Sequence, residues 1–170
     1  LLTLLSSHNN RREKEKITIS GQFVIDGRML PEDFELMKRA GVRLLDIGIE
    51  SMSEEIRRHM NKPFRNADVY YTIDQLVKND IPFALLFLVG YPIETEVLFY
   101  ENIKFLKRIA KGYDASKIKL GLGMTCFITP KTPLGLSNTY EGGVKWSSKV
   151  VPGLDWDERI RRREYIEEVA

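Results

Sequence analysis

The chain has 170 residues, of which 43% are hydrophobic and 29% are charged, a balance typical of one globular domain with its own core. Its formal net charge of +2 is too small to favour nucleic acid or a membrane as a partner. The single cysteine, Cys126, can form neither an internal disulfide nor a metal site of several thiolates, and its apolar surroundings predict a small core residue in a strand. His8 and His59 are far apart in sequence and indicate no metal site.

The amino-terminal residues are apolar, but the uncharged stretch is too short to cross a bilayer. It lacks the basic region and cleavage site of a signal peptide. The chain does not begin with Met, so we expect a piece of a longer protein. A charged run over residues 11–16 predicts a solvated connection after the end of a helix.

A strand is predicted over residues 17–24, where apolar and polar residues alternate. A helix follows over residues 30–40, because Pro31 suits its first position and Gly41 suits its end. The spacing predicts a buried stripe on this helix formed by Leu30, Phe34 and Met37.

The second strand is predicted over residues 43–49. Ser51 and Glu54 have the spacing of a capping box, which predicts a helix that runs to about Met60. After a break around Pro63, Asn66 is predicted to cap a further helix. Its buried face is predicted to consist of Val69, Ile73, Leu76 and Val77.

Residues 81–89 form an apolar run without alternation, as expected for a parallel strand that is buried on both faces. A turn with Gly90 and Pro92 leads into a helix over residues 96–110. The buried stripe of that helix is predicted to contain Phe99, Ile103 and Leu106.

The last strand is predicted over residues 117–128, and residues 135–153 are predicted to be irregular. Asp155 and Glu158 form a second capping box, which opens a terminal helix with Trp156, Ile160 and Ile166. The basic run at residues 161–163 is interpreted as a solvated face of this helix. Because each connection between strands is helical, we expect an α/β fold with a parallel sheet and right-handed crossovers.

Polar residues follow each predicted strand. All strands of a parallel sheet end at one edge, where α/β proteins bind ligands, so we expect these residues to lie together. Glu50 and Glu94 are interpreted either as ligand-binding carboxylates or as acids favoured by a helix dipole. Thr95 also fits a plain N-cap, Lys131 fits an anion site or a solvated cation, and the 90–95 turn fits a mere junction. The residues at this edge are Gln22, Asp26, Glu50, Ser51, 90–95 and 127–132.

Several segments, in chain order, resemble motifs of radical SAM enzymes, and the resemblance covers residues 17–135. Residues 46–51, Asp-Ile-Gly-Ile-Glu-Ser, resemble the fourth-strand motif, and the segment from Asn61 and Lys62 onward fits the stretch that those enzymes carry after this motif. Residues 87–95, Phe-Leu-Val-Gly-Tyr-Pro-Ile-Glu-Thr, are similar to the fifth-strand motif. Residues 129–134, Thr-Pro-Lys-Thr-Pro-Leu, resemble the segment after the sixth strand. The strand with Gly21 and Gln22 resembles the third strand of the cobalamin-linked branch.

The resemblance implies a partial TIM-type (β/α) barrel that holds S-adenosylmethionine (SAM) at its carboxyl edge beside a [4Fe-4S] cluster. Glu50 and Ser51 would face the ribose or methionine end of SAM. Gly90 would permit a close backbone approach on the adenine side. The candidate cofactor-binding residues are Gln22, Glu50, Ser51, Gly90, Pro92, Glu94, Phe127 and Pro130, and the resemblance assigns no catalytic residue.

This sequence departs from the family pattern in four places. It lacks the Cys-x-x-x-Cys-x-x-Cys cluster motif and the Gly-Gly-Glu segment of the second strand. It also has Val24 where relatives often have Arg, and Ile93 in place of a Gly. We therefore interpret residues 1–135 as the C-terminal half of a radical SAM barrel and residues 136–170 as an irregular tail with an added C-terminal helix. The expected partners are the N-terminal half of the barrel, an electron donor and a small-molecule or cofactor-like substrate.

The full-length protein is expected to be a cytoplasmic enzyme, resembling the Mg-protoporphyrin ester cyclase-like relatives and using cobalamin if it follows that branch. The alternative is a degenerate, non-catalytic radical-SAM-like binding module. An unrelated barrel that binds phosphate would need a glycine-rich helix start, for which only Gly142 and Gly143 are available. Because a half barrel leaves sheet edges open, we expect the chain to self-associate or to fold residues 144–170 across the gap.

Overall fold

The computed structural model of the chain describes residues 1–11, 16–114, 116–123 and 125–169. Most of the predicted charged run therefore lies outside the described residues, as does the last residue of the tail. The chain forms two compact units, each assembled from three stretches of sequence. The first unit comprises Leu1–Ile49, Phe64–Leu86 and Tyr113–Gly121, and the second comprises Glu50–Pro63, Phe87–Gly112 and Leu122–Ala170.

Each strand up to residue 122 is connected to the next by one or two helices, as predicted. The strands are β1 Ile19–Phe23, β2 Val42–Glu50, β3 Phe83–Phe87, β4 Ile118–Leu122, β5 Thr139–Gly142 and β6 Lys145–Ser147. The helices are α1 Leu2–Arg11, α2 Pro31–Arg39, α3 Glu54–His59, α4 Asn66–Lys78, α5 Glu96–Gly112, α6 Pro133–Leu136 and α7 Trp156–Val169. Of the helices in the described residues, none combines the length and the apolar character that a membrane crossing requires.

Strands β1 to β4 form one parallel sheet in the order β1-β2-β3-β4, which confirms the α/β prediction. In the pair β1–β2, Gln22 lies opposite Asp46. Strand β3 is central and buried on both faces, as its unbroken apolar run predicts. The added C-terminal helix is α7.

The ends of α2 are those that the sequence predicts. Pro31 is the first helical residue, and Gly41 follows the helix with φ +90°, a conformation that favours glycine. Phe34 and Met37 are buried, but Leu30 is 61% exposed, so its assignment to the buried stripe is wrong. Leu30 precedes the first turn, and its backbone N–H is capped by the Asp33 carboxylate at 2.8 Å.

Two predicted caps are wrong. Helix α3 is capped by Ser53, whose hydroxyl accepts from the Ile56 N–H, and not by Ser51. Helix α4 begins at Asn66, and the Asp68 carboxylate accepts from the backbone N–H of Arg65 at 2.7 Å. The cap is displaced by two residues in α3, to Ser53, and by one residue in α4, where Arg65 is the N-cap, and spacing alone does not resolve such shifts.

The region after β4 differs most from the prediction. Strand β4 ends at Leu122, and Cys126 lies beyond it, because an apolar segment reads the same in a strand and in a buried loop. Cys126 is buried nevertheless, as predicted. The prediction that residues 135–153 are irregular is also wrong, since they contain the end of α6 and the antiparallel hairpin β5–β6. Gly142 and Gly143 have positive φ at the hairpin turn, so they do not form a phosphate-binding helix start.

Candidate functional site

The second unit brings three of the predicted strand ends side by side. The Glu50 carbonyl accepts a hydrogen bond from the Leu88 N–H at 2.9 Å, and the Val89 carbonyl accepts one from the Cys126 N–H at 2.8 Å. The segments that follow β2, β3 and β4 are therefore neighbours, as the parallel topology predicts. Every predicted cofactor-binding residue except Gln22 belongs to this unit.

Glu50 has an unusual backbone conformation at the end of β2. Its φ is +63°, in a region that a side chain other than glycine rarely adopts, and such strain is concentrated at functional sites. Its carboxylate is 26% exposed and accepts a hydrogen bond from Lys62 Nζ at 2.6 Å. Strand β2 thus ends in an accessible ion pair. Lys62 lies within a segment that resembles the family motif, but the sequence indicates no role for it, because its contact with Glu50 spans helix α3.

Ser51 is fully buried and faces the interior of the unit. Its hydroxyl lies 3.2 Å from Asn102 Oδ1 and accepts from the Ser53 N–H at 3.1 Å. Asn102 Oδ1 also accepts from the Met52 N–H at 2.6 Å. These bonds anchor the turn after Glu50 to α5, so Asn102 is a supporting residue, and the local sequence contains no signal that identifies it.

The 90–95 loop, Gly-Tyr-Pro-Ile-Glu-Thr, connects β3 to α5. Gly90 is buried with φ +74°, and a Cβ on this residue would lie 2.5 Å from Arg159 Cδ. The Tyr91 hydroxyl lies 2.9 Å from His59 Nδ1, and the Pro92 carbonyl accepts from the Ser148 hydroxyl at 2.7 Å. The loop is therefore held at Gly90, Tyr91 and Pro92 by other parts of the second unit.

Thr95 is the N-cap that one reading of the sequence predicts. Its hydroxyl accepts from the Leu98 N–H at 3.3 Å, and its carbonyl accepts from the Phe99 N–H at 2.9 Å. These contacts close the first turn of α5 and account for Thr95 as part of the helix start.

Glu94 is completely buried, and its carboxylate folds back onto the loop. Its Oε2 accepts from the Gly90 N–H at 2.8 Å and from Arg162 Nη1 at 3.2 Å. Its Oε1 has no hydrogen-bond partner among the described residues. Burial raises the pKa of Glu94 to about 7, although the Arg162 guanidinium and the Gly90 N–H oppose this rise.

Arg162, on α7, donates to the carboxylates of Glu94, Glu158 and Glu96 at 3.2, 2.7 and 3.2 Å. It also donates to the Glu94 backbone carbonyl at 2.7 Å. The interpretation of residues 161–163 as a solvated face is therefore wrong for Arg162, which is buried. Arg161, with 55% of its side chain exposed, fits that interpretation. Sequence periodicity could not identify Arg162, because a charged residue on a helix is normally solvated.

Arg159 is the second buried arginine of α7. Its guanidinium carbon lies 3.7 Å from the centroid of the Trp146 ring, and its Nη1 donates to the Trp146 carbonyl at 2.8 Å. Its Nε and Nη2 find no hydrogen-bond partner in the part of the chain that the structure describes. Trp146, on β6, is fully buried and donates from Nε1 to the Cys126 carbonyl at 2.9 Å. Burial raises the pKa of the Cys126 thiol to about 12, so this cysteine is a core residue and not a reactive thiolate.

The other predicted residues are more accessible. Phe127 is 60% exposed, and Pro130 is half-buried. Gln22 lies on β1 in the first unit and is exposed, as is Val24, which stands where relatives often have Arg. Lys131 is exposed, in keeping with a solvated cation.

Comparison with known proteins identifies the family. The sequence profile of the radical SAM superfamily matches residues 7–106. The chain belongs to the radical SAM superfamily. Among curated proteins it is similar to the ribosomal protein uS12 methylthiotransferase RimO of Desulfotalea psychrophila, with 35% identity over 68 residues. That alignment spans 39% of this chain and 15% of RimO.

Solved structures of another superfamily member share the fold. The radical S-adenosylmethionine methyltransferase TsrM of Kitasatospora setae, with cobalamin and a [4Fe-4S] cluster bound, matches with a TM-score of 0.61 and 15% identity. TsrM with tryptophan and a SAM analogue bound matches with a TM-score of 0.59 and 15% identity. Both matches cover 79% of this chain but only 26% and 25% of the TsrM chains. This radical SAM chain therefore spans a small part of the length of its relatives.

The superfamily implies an iron–sulfur cluster and SAM, and the residues of this chain fit them differently. An iron–sulfur cluster requires several cysteine thiolates, whereas the only cysteine here is buried with its pKa raised to about 12. The described residues also contain no group of three or more His, Cys, Asp or Glu side chains that could hold a metal ion. The cluster thus does not fit the described residues. SAM fits better, because the accessible pair Glu50–Lys62 and the exposed ring of Phe127 match its charged, hydroxylated and aromatic parts.

Proposed function

We propose that this chain supplies part of the SAM cradle and part of the substrate wall of a larger radical SAM enzyme. The observation that carries the proposal is the Glu50–Lys62 ion pair, held in a strained backbone conformation at the carboxyl end of β2. Bound SAM would supply the sulfonium group on which the chemistry of the superfamily depends. In this proposal the cluster-binding residues belong to the part of the enzyme outside this chain.

The exposed residues would make the contacts with SAM. The Glu50 carboxylate would accept hydrogen bonds from the ribose hydroxyls or the methionine ammonium, and Lys62 would fix its orientation. Phe127 and Pro130 would cover the adenine, because an exposed aromatic ring favours stacking with a purine. Gln22 lies on β1 in the first unit, and its contact with SAM stays a prediction.

The buried candidate residues would shape and support the segments that form the binding surface. Gly90 and Pro92 would present the loop backbone on the adenine side. Ser51 and Glu94 have no exposed surface, so their proposed part is to hold the turn after β2 and the 90–95 loop in place.

Similarity to these relatives supports a role in SAM binding but does not point to one particular substrate. RimO is named for a ribosomal protein, and one TsrM structure contains tryptophan, so their named or bound partners differ. We infer that the part shared with this chain serves SAM, while substrate choice and any use of cobalamin depend mainly on the rest of the protein. The cyclase-like substrate, the cytoplasmic location and the electron donor stay predictions.

The test uses the full-length gene product, purified without oxygen and titrated with SAM by calorimetry. Loss of a charge-assisted hydrogen bond costs about 1.5–3 kcal/mol, so Glu50→Gln and Lys62→Met should weaken SAM binding about 10- to 100-fold. Lys131→Met removes one exposed positive charge near the same edge and is the matched control. If both site variants bind SAM as tightly as the wild type, the proposal that this chain forms part of the SAM cradle is overturned.

Iron analysis of the same preparation separates the enzyme from the alternative. About four irons per chain, as one [4Fe-4S] cluster contains, would support a radical enzyme. SAM binding without iron, even after reconstitution, would instead support the non-catalytic binding module.

A further inference from the structure

We propose that the carboxyl-terminal segment, hairpin β5–β6 together with α7, is a clamp that sets the conformation of the 90–95 loop, with Arg162 and Arg159 as positioning residues. This clamp is defined by residues 139–169 of the second unit. Its effect on ligand binding rests on the proposed function, whereas its effect on the loop does not.

Arg162 provides the first attachment. It binds both the backbone carbonyl and the side chain of Glu94, at 2.7 Å and 3.2 Å, so it fixes the main chain as well as the carboxylate. The same carboxylate oxygen accepts from the Gly90 N–H across the loop at 2.8 Å. A change at Arg162 is therefore transmitted to both ends of the loop.

Arg159 and Ser148 provide two further attachments. The aliphatic part of the Arg159 side chain lies against Gly90 in the space that a Cβ would occupy, and the guanidinium of Arg159 lies over the Trp146 ring. The Ser148 hydroxyl, just after β6, donates to the Pro92 carbonyl. The clamp thus contacts the loop at residues 90, 92 and 94, every second position along it.

The burial of these groups favours a permanent clamp over a movable lid. Trp146, Arg159 and Arg162 are all buried, so an opening movement would expose a tryptophan and separate two arginines from their partners. A well-packed apolar contact would stabilise the fold at least as well as a buried charged network. Glu94 Oε1 and Arg159 Nε also lack partners among the described residues. A buried polar network in which some groups lack hydrogen-bond partners is not built for maximal stability of the fold. It fits better with a role in fixing one conformation of the loop.

The test follows hydrogen exchange of peptides covering residues 88–98 in the full-length protein. Arg162→Met should accelerate exchange of this segment about tenfold, as expected for the loss of hydrogen bonds to a charged group, and should weaken SAM binding by a similar factor. Arg162→Lys keeps the charge without the forked geometry and should recover part of both losses. Arg163→Met, on the same helix but bonded to Glu167 and the Gly123 carbonyl, is the control.

Peptides from α4, in the first unit, report whether the fold persists. If Arg162→Met accelerates exchange there as well, Ser148→Ala replaces it. This change leaves Arg162 in place and removes the hydroxyl bond to the Pro92 carbonyl, together with the bonds that the hydroxyl accepts from the Val150 and Val151 N–H groups. Unchanged exchange at residues 88–98 in both variants would overturn the clamp, and faster exchange with unchanged SAM affinity would overturn the positioning role. Failure of the wild-type protein to bind SAM would overturn the proposed function, while the exchange experiment would still test the clamp.

Discussion

Replacement of Glu94 by glutamine tests whether the buried carboxyl is protonated near neutral pH. The unfolded chain releases this proton near pH 4.5, whereas the folded chain retains it up to a pKa of about 7. Between these values the folded state binds more protons than the unfolded state, so the free energy of unfolding falls as the pH rises. The stabilisation that the protonated carboxyl provides is fully present below pH 4.5 and is lost as the pH rises through about 7. The gap between the two pKa values corresponds to about 3 kcal/mol of unfolding free energy.

The cause of the raised pKa is visible in the surroundings of Glu94. The carboxylate is buried, and its positive neighbour Arg162 also serves Glu158 and Glu96, so one guanidinium is shared among three carboxylates. Burial also keeps the nearby Cys126 thiol neutral, since its pKa is raised to about 12. Glu94→Gln resembles the protonated form and can still accept from the Gly90 N–H. We therefore expect near-equal stability at pH 5 and a variant more stable than wild type by up to about 3 kcal/mol at pH 8.

The assay is urea unfolding of the wild type and Glu94→Gln at pH 5, 6, 7 and 8. Glu164→Gln, an exposed change on α7, controls for the loss of one negative charge. The quantity of interest is how the difference in unfolding free energy changes with pH. If this difference is the same at pH 5 and pH 8, Arg162 fully compensates the burial of Glu94 and the reasoning is refuted.

The remaining predictions concern the core of the second unit. Trp146→Ala should lower the free energy of unfolding, measured in urea, by about 3–5 kcal/mol. Trp156 is only half-buried, so Trp156→Ala should cost clearly less. Equal losses in the two variants would contradict the central place of Trp146 in the core. Gly90→Ala should lower the free energy of unfolding by more than about 1–2 kcal/mol in the same assay, because φ +74° and the Arg159 side chain both oppose a Cβ. Gly112→Ala, where a Cβ meets no neighbour, should cost nothing. An unchanged stability of Gly90→Ala would show that the loop relaxes. Cys126 should resist a thiol reagent at pH 8 until the chain is unfolded, since burial raises its pKa to about 12, and rapid labelling of the folded protein would show that this segment opens.

The sequence by itself predicts those features of the structure whose physical cause lies in neighbouring residues. The apolar run of β3 predicts a strand buried on both faces, and Pro31 and Gly41 predict the ends of α2, because these residues constrain their own backbone. The alternation of strands and helices predicts a parallel sheet, and with it the meeting of Glu50, the 90–95 loop and Phe127 at neighbouring strand ends. The motif resemblance to the radical SAM family, which the comparisons confirm, depends on the same short segments.

Only the tertiary structure decided which polar groups face inward. Arg159 and Arg162 have the sequence signature of a solvated helix, yet they are buried, because Trp146 and the carboxylates of residues 94 and 96 supply partners for their charges from other parts of the sequence. Glu94 is likewise a buried carboxyl of raised pKa, where the sequence allowed a ligand contact or a helix-dipole acid. A side chain's burial depends on contacts with residues up to 68 positions away, as between Glu94 and Arg162, and periodicity does not contain that information.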